Sequence, residues 1–171
     1  MSKDQDARYA DAAAQWGAAL QLIARAYEAD PERRRDLLQD MHVTLWKSFA
    51  AFDGRCSVRT WVYRVASNVA ASHVARERRD RLQLVTLDTI EHLPDASDTG
   101  ERVAEEAALA RLYALIHQLK APDRQVITLY LEGLSADSIA EVTGLSPGAI
   151  ATRISRLKVL LTRLFHEGTH V

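Results

Sequence analysis

The sequence predicts an all-α protein of two small helical domains joined by a flexible acidic linker. Three observations predict it. Apolar residues recur at steps of three, four and seven along most of the 171-residue chain, the period of one helical face. Pro31, Pro122, Gly54 and Gly133 fall between these periodic stretches rather than inside them, where starts and stops belong. Between residues 86 and 106 the pattern gives way to acidic side chains with little to bury.

The elements follow in order. Tyr9, Trp16, Leu20, Ile23 and Tyr27 share one face of a first helix. Asp30-Pro31 breaks it, and Pro31 suits the first turn of a second. That second helix carries Leu37, Leu38, Met41, Leu45 and Phe49 on one side and ends near Phe52-Asp53-Gly54. Val58, Trp61, Val62, Val65 and Val69 mark a third; Val, Thr and Trp are weak helix formers, so it relies on packing. Residues 86 to 106 then hold seven acids (Asp88, Glu91, Asp95, Asp98, Glu101, Glu105, Glu106) against Arg102, the composition of a linker. It separates lobes of about 80 and 65 residues, each marginal alone and expected to gain stability from a partner. The second lobe opens with a helix marked by Val103, Leu112, Leu115, Ile116 and Leu119. Pro122 starts another through Val126, Leu129 and Tyr130, closed by Gly133.

Composition narrows the class. Hydrophobic residues at 47% allow a core, and 22 Lys and Arg against 23 Asp and Glu rule out a simple basic coating protein. Nucleic-acid binding stays open, because the charges are unevenly placed. The lone Cys56 provides no internal disulfide and indicates a reducing compartment; it reads as a passenger beside Arg55 and Arg59. No stretch approaches the ~18 apolar residues of a membrane span, and residues 1 to 11 carry no signal-peptide pattern, so a cytoplasmic location is expected. No phosphate loop, nucleophile with a base, or paired-carboxylate site occurs, so no catalytic residue and no cofactor are expected.

The strongest local signal lies between Leu134 and Leu164. Ser135 is an N-cap candidate. Ile139, Ala140 and Val142 face inward from a short helix. Thr143-Gly144-Leu145 makes a tight turn in which Gly144 provides positive φ. Ser146-Pro147 opens the next helix, with Ile150, Ile154, Leu157, Leu161 and Leu164 as its buried stripe. This is a helix-turn-helix, and its second helix suits the major groove of DNA. The exposed side offers Thr152, Arg153, Ser155, Arg156 and Lys158. No acid occurs between Glu141 and Glu167, and a one-sign field suits phosphate contacts. The plainer alternative is a solvated basic face on a bundle.

In the first lobe, Arg59, Trp61, Tyr63, Arg64 and Asn68 interleave rings, cations and an amide. Single-stranded DNA is bound with that combination; the alternative puts Trp61 in the core and the arginines in solvent. Here the chain resembles the extracytoplasmic-function (ECF) sigma factors of the sigma-70 superfamily. Asp36 to Trp46 looks like the family's polymerase-binding helix, Phe52 to Arg79 like its −10 recognition and melting segment, and Leu119 to Leu164 like its −35 reading domain. The order and length fit as well.

The resemblance implies roles and boundaries. Residues 1–82 would be region 2, 83–104 the linker and 105–171 region 4. Asp36, Gln39 and Asp40 would face the clamp helices of the largest subunit of core RNA polymerase, with the flap as a second contact. Tyr63 and Asn68 would hold a flipped −10 base, at a few kcal/mol of unstacking, with Trp61 and Arg64 supporting or flanking it. Thr152, Ser155 and Arg156 would approach −35 base edges, with Arg153 on the backbone. An anti-sigma factor, often membrane-anchored in the family, would be the inhibitor, and no small-molecule substrate is implied. Ser72, Ala75 and Ala151 depart from the family's usual Asp, Arg and basic residue, so no promoter sequence carries over. A stand-alone helix-turn-helix regulator would leave the segment around Trp61 unexplained, and a sigma mimic that sequesters an anti-sigma factor would not need Arg153 and Arg156. His166-Glu167-Gly168-Thr169-His170 matches H-E-x-x-H, but Gly168 weakens the helix that zinc ligation requires, and no metal is expected.

Overall fold

The computed structural model describes residues 3–83 and 101–167, and those residues form helices and their connections only. The first three helices are α1 (Lys3–Tyr27), α2 (Pro31–Ser48) and α3 (Val58–Gln83), which pack on one another as a three-helix lobe. A single 3-10 turn, Phe49–Ala51, follows α2. The α-helix therefore stops short of the expected Gly54, and Gly54 (φ +77°) turns the following loop instead.

Small side chains let these helices approach closely. Ala12, Ala19, Ala24 and Ala26 of α1 and Ala66 and Ala70 of α3 are buried among Leu20, Ile23, Leu37, Met41, Leu45 and Val62. Shape-matched burial of this kind stabilises at roughly 25 cal/mol per Å² of apolar area. The turn from α1 to α2 is held by its polar groups. Asp30 Oδ1 accepts from the N–H groups of Glu32 and Arg33 at 3.0 and 2.9 Å, capping α2 ahead of Pro31. Arg34 donates to the carbonyls of Glu28 and Ala29. Trp46 Nε1 donates to Asp6 Oδ1 at 2.8 Å, fastening the end of α2 to the start of α1.

The second lobe comprises α4 (Glu101–Gln118), α5 (Ala121–Leu131), α6 (Ala136–Thr143) and α7 (Pro147–Glu167). Helix α4 begins at Glu101, so residues 101–104, read from sequence as linker, are helical. Residues 84–100, the body of the expected linker, lie outside the described residues, as do 168–171 of the H-E-x-x-H tail. Ile116, Val126, Ile127, Leu129, Ile139, Ile150 and Leu157 form the buried centre. Val103, expected on the inner face of α4, is 44% exposed.

The lobes also pack on each other, α3 against α5 and α6, and α1 against α4 and α5. This explains why α3 is buried on more than its valine face: Thr60 and Tyr63, which meet the second lobe, are nearly inaccessible. No described helix is long and apolar enough to cross a membrane.

Candidate nucleic-acid interface

The helix-turn-helix is built as its sequence requires. Ser135 Oγ accepts from the Ser138 N–H at 3.2 Å and caps α6. Gly144 closes α6 with φ +79°, its N–H donating to the Ala140 carbonyl at 2.8 Å. Ser146 Oγ accepts from the Ala149 N–H at 3.2 Å at the start of α7. Ile150, Leu157 and Leu161 seat α7 on the lobe. Thr152, Ser155 and Arg156 lie on its exposed side, followed a turn later by Val159, 72% exposed. Spacings of three, four and seven put these four on one stripe, with a cation, two hydroxyls and an apolar tip. Arg153 and Lys158 are placed differently. Arg153 Nη1 pairs with Asp123 Oδ1 at 2.5 Å, tying α7 to the first turn of α5. Lys158 lies over the Tyr130 ring, 5.6 Å from its centre.

On α3 the five expected residues separate by depth. Arg59 and Asn68 are exposed. Trp61 packs edge-on against Phe52 at 5.3 Å between ring centres and donates from Nε1 to Ser48 Oγ at 2.9 Å. It therefore props the loop before α3. Tyr63 is buried to 3% exposure, with Arg59 5.8 Å from its ring centre. Burial raises the Tyr63 hydroxyl above its ordinary value; the Glu132 charge adds to this, and Arg59 opposes it. Arg64 donates to the Glu141 carbonyl at 2.6 Å.

On α2, Asp36, Gln39, Asp40 and Val43 form an exposed stripe opposite buried Leu37, Met41 and Leu45. Val43 is 43% exposed. An apolar tip flanked by two carboxylates and an amide suits a protein partner carrying cations at its rim.

His73, in the expected melting segment, has a structural partner that the sequence did not disclose. Its Nε2–H donates to Glu28 Oε2 at 2.8 Å, and Glu28 is only 4% exposed. Glu28 Oε1 accepts from the Asp30 N–H at 2.9 Å. Burial would raise the Glu28 carboxyl, but hydrogen bonds from His73 and Asp30 with the charge of Arg33 hold it below its usual value. Among the described residues Glu28, His73 and Glu77 form a group whose ligand atoms lie within 4.8 Å of one another, as a metal site would require. Arg33 already stands in the cation's place, 2.9 Å from Glu77 Oε1 and 3.7 Å from Glu28 Oε1. The cluster is an ion-paired brace between the α1–α2 turn and α3.

A two-lobed helical chain with a helix-turn-helix and a separate aromatic and cationic helix belongs to the class of multi-point DNA-binding proteins. Comparison with known proteins makes the class specific. The sigma-70 region 2 family matches residues 14–80, and sigma-70 region 4 matches residues 109–161. The ECF RNA polymerase sigma-E factor of Haemophilus influenzae is 31% identical over 135 residues, 74% of this chain and 71% of that protein. The RNA polymerase sigma-H factor of Pseudomonas aeruginosa is 31% identical over 147 residues, 81% of this chain and 76% of the relative. Sigma factor CnrH of Cupriavidus metallidurans is 30% identical over 159 residues, 88% and 83% of the two chains. The structure of CnrH in complex with the cytosolic domain of CnrY superposes with a TM-score of 0.63 at 27% identity, covering 93% of this chain and 88% of that one. The sigma factor RpoE of Bartonella quintana, solved with the anti-sigma factor NepR, shares the fold with a TM-score of 0.63 at 22% identity, covering 87% and 91%. The chain belongs to the ECF sigma factors of the sigma-70 family. It is an alternative sigma factor, a subunit that binds core RNA polymerase and directs transcription initiation at promoters.

Proposed function

We propose that three groups of side chains divide this work. Asp36, Gln39 and Asp40 of α2 bind the clamp helices of core polymerase. Arg59, Tyr63, Arg64 and Asn68 of α3, braced by Trp61, recognise and melt the −10 element. Thr152, Ser155 and Arg156 of α7 read the −35 element, with Lys158 near the backbone and Arg153 holding α7 in position through Asp123. Residues 1–82 form region 2 and 105–171 region 4, with 83–104 joining them and the last four of these already in α4. The observation that carries this reading is the stripe Thr152, Ser155, Arg156 and Val159, exposed on a capped recognition helix.

The chain works in the cytoplasm, has no chemistry of its own, and is held in check by an anti-sigma factor, whose own anchor would be what holds the pair at the inner membrane. Similarity to CnrH, solved with the cytosolic domain of CnrY, supports such a partner. Reconstitution with core polymerase and selection of transcribed promoters from a genomic library tests the whole. Initiation at sites sharing a two-part motif is expected; binding to core without initiation would mark a mimic instead. In the same assay Asp40→Arg weakens core binding by reversing a charge at the interface, and an unchanged affinity would remove α2 from it.

A further inference from the structure

The outer face of α7 is uncharged along its centre. Gly148, Thr152, Ser155 and Val159 follow one another at helical spacing, so they share one narrow line, and all four are exposed. Arg156 stands beside that line. No acid occurs between Glu141 and Glu167, so the face as a whole suits the anionic walls of a DNA groove. Its centre would meet the base edges on the groove floor.

Val159 is the odd member of this line. It is 72% exposed, against 49% for Leu131, the next most exposed large apolar side chain among the described residues. It takes no part in the core, which α7 joins through Ile150, Leu157 and Leu161. A β-branched residue is also a poorer helix former than Lys, Glu or Ala, so neither packing nor propensity favours valine there. In the major groove an isopropyl group has a specific match. Base edges there are polar except for the C5 methyl of thymine, which takes apolar contacts. At a rise of about 1.5 Å per residue, Val159 lies about 10 Å beyond Thr152 and about 4.5 Å beyond Arg156. Base pairs stack about 3.4 Å apart, so these separations correspond to about three steps and about one step of duplex.

We propose that Val159 is a specificity-determining residue that reads a methyl group. Its isopropyl group packs on the C5 methyl of a thymine in the −35 element, close to the base that Arg156 approaches. The chain thus selects thymine at that position by its methyl group and not by a hydrogen bond. The inference rests on the reading of α7 as the −35 helix.

The test uses the reconstituted holoenzyme and a promoter selected with it. Each thymine of the −35 element, on either strand, is replaced in turn by uracil, which removes the methyl group and leaves every hydrogen bond of the base pair in place. Uracil at one position, close to the base whose recognition depends on Arg156, should weaken promoter binding roughly threefold to fivefold, the worth of one buried methyl group. With Val159→Ala the thymine promoter should bind as weakly as the uracil one, and the response to uracil at that position should vanish. Alanine is the better helix former at this exposed site, so the variant should melt no lower than wild type. A −35 element without thymine, no response to uracil at any position, or the same response in Val159→Ala would each overturn the methyl contact. So would Val159→Ala that weakens core binding while promoter discrimination stays intact, which would assign Val159 to a protein partner. Arg156→Ala separates the two readings. If it relaxes discrimination at one base while the uracil response ignores Val159, α7 remains the −35 helix and the methyl contact alone falls; if neither variant alters discrimination, both fall.

Discussion

At the scale of single residues, Glu28 shows how a charge is kept in a core. Its carboxylate is accommodated because His73, the Asp30 N–H and Arg33 surround it. Glu28→Gln, which keeps the shape and removes the charge, should cost about 1–3 kcal/mol, read as a lower melting temperature. The folded carboxyl keeps its charge to lower pH than the unfolded one, so the folded state binds fewer protons in acid. Its contribution is complete above the ordinary value of 4.5 and is lost as pH falls through the lower folded value. The variant's stability should therefore depend less steeply on pH there. Arg156→Ala makes the opposite kind of change, at an exposed position. It should remove about 1–3 kcal/mol of discrimination between promoters, measured as relative affinities for single-base variants; a uniform loss would make Arg156 a phosphate contact. Arg156 was legible in sequence because basic residues without acids mark a whole helix face. The partnership of His73 with Glu28 was not, because 45 positions separate them and no periodicity links the two.

At the scale of elements, the caps and turns were the most legible features, since they follow from local backbone chemistry. Ser135, Gly144 and Ser146 each occupy the position their residue type favours. Gly144 sits in the left-handed region with open space around its missing side chain, so the cost of a substitution is in the backbone. Gly144→Ala should destabilise by about 1–2 kcal/mol, and Gly144→Asn by less, measured by thermal melting. Less legible was α3, whose valine stripe accounts for one buried face only. Tyr63, Ala66 and Ser67 are buried because α3 also meets other helices, and a helix packed on two sides blurs its own period. Trp61 carried both meanings in the sequence; its contact with Phe52 and its bond to Ser48 give it a supporting place.

At the scale of the whole molecule, the sequence revealed two lobes in their order but not that they meet. Contacts such as Thr60 with Glu141 span 81 positions, beyond any local pattern. A second seam contact should respond to acid. His117 Nε2–H donates to the Arg25 carbonyl at 2.8 Å, joining α4 to α1. Burial holds His117 below the ordinary imidazole value of 6.5; Arg124 and Arg34 also oppose its charge, while the Arg25 carbonyl and Glu28 favour it. The neutral ring is the one that fits, so its contribution is complete above 6.5 and declines as pH falls towards the lower folded value. Scattering from about pH 7.5 to about pH 5.5 should show the chain expanding, and His117→Gln should make its size less sensitive to pH. The covered arginine on α3 has a consequence outside the molecule. A genome offers ~10⁶–10⁹ chance sites to any exposed cationic helix. With Arg64 turned onto Glu141, α3 presents one cation fewer to those sites.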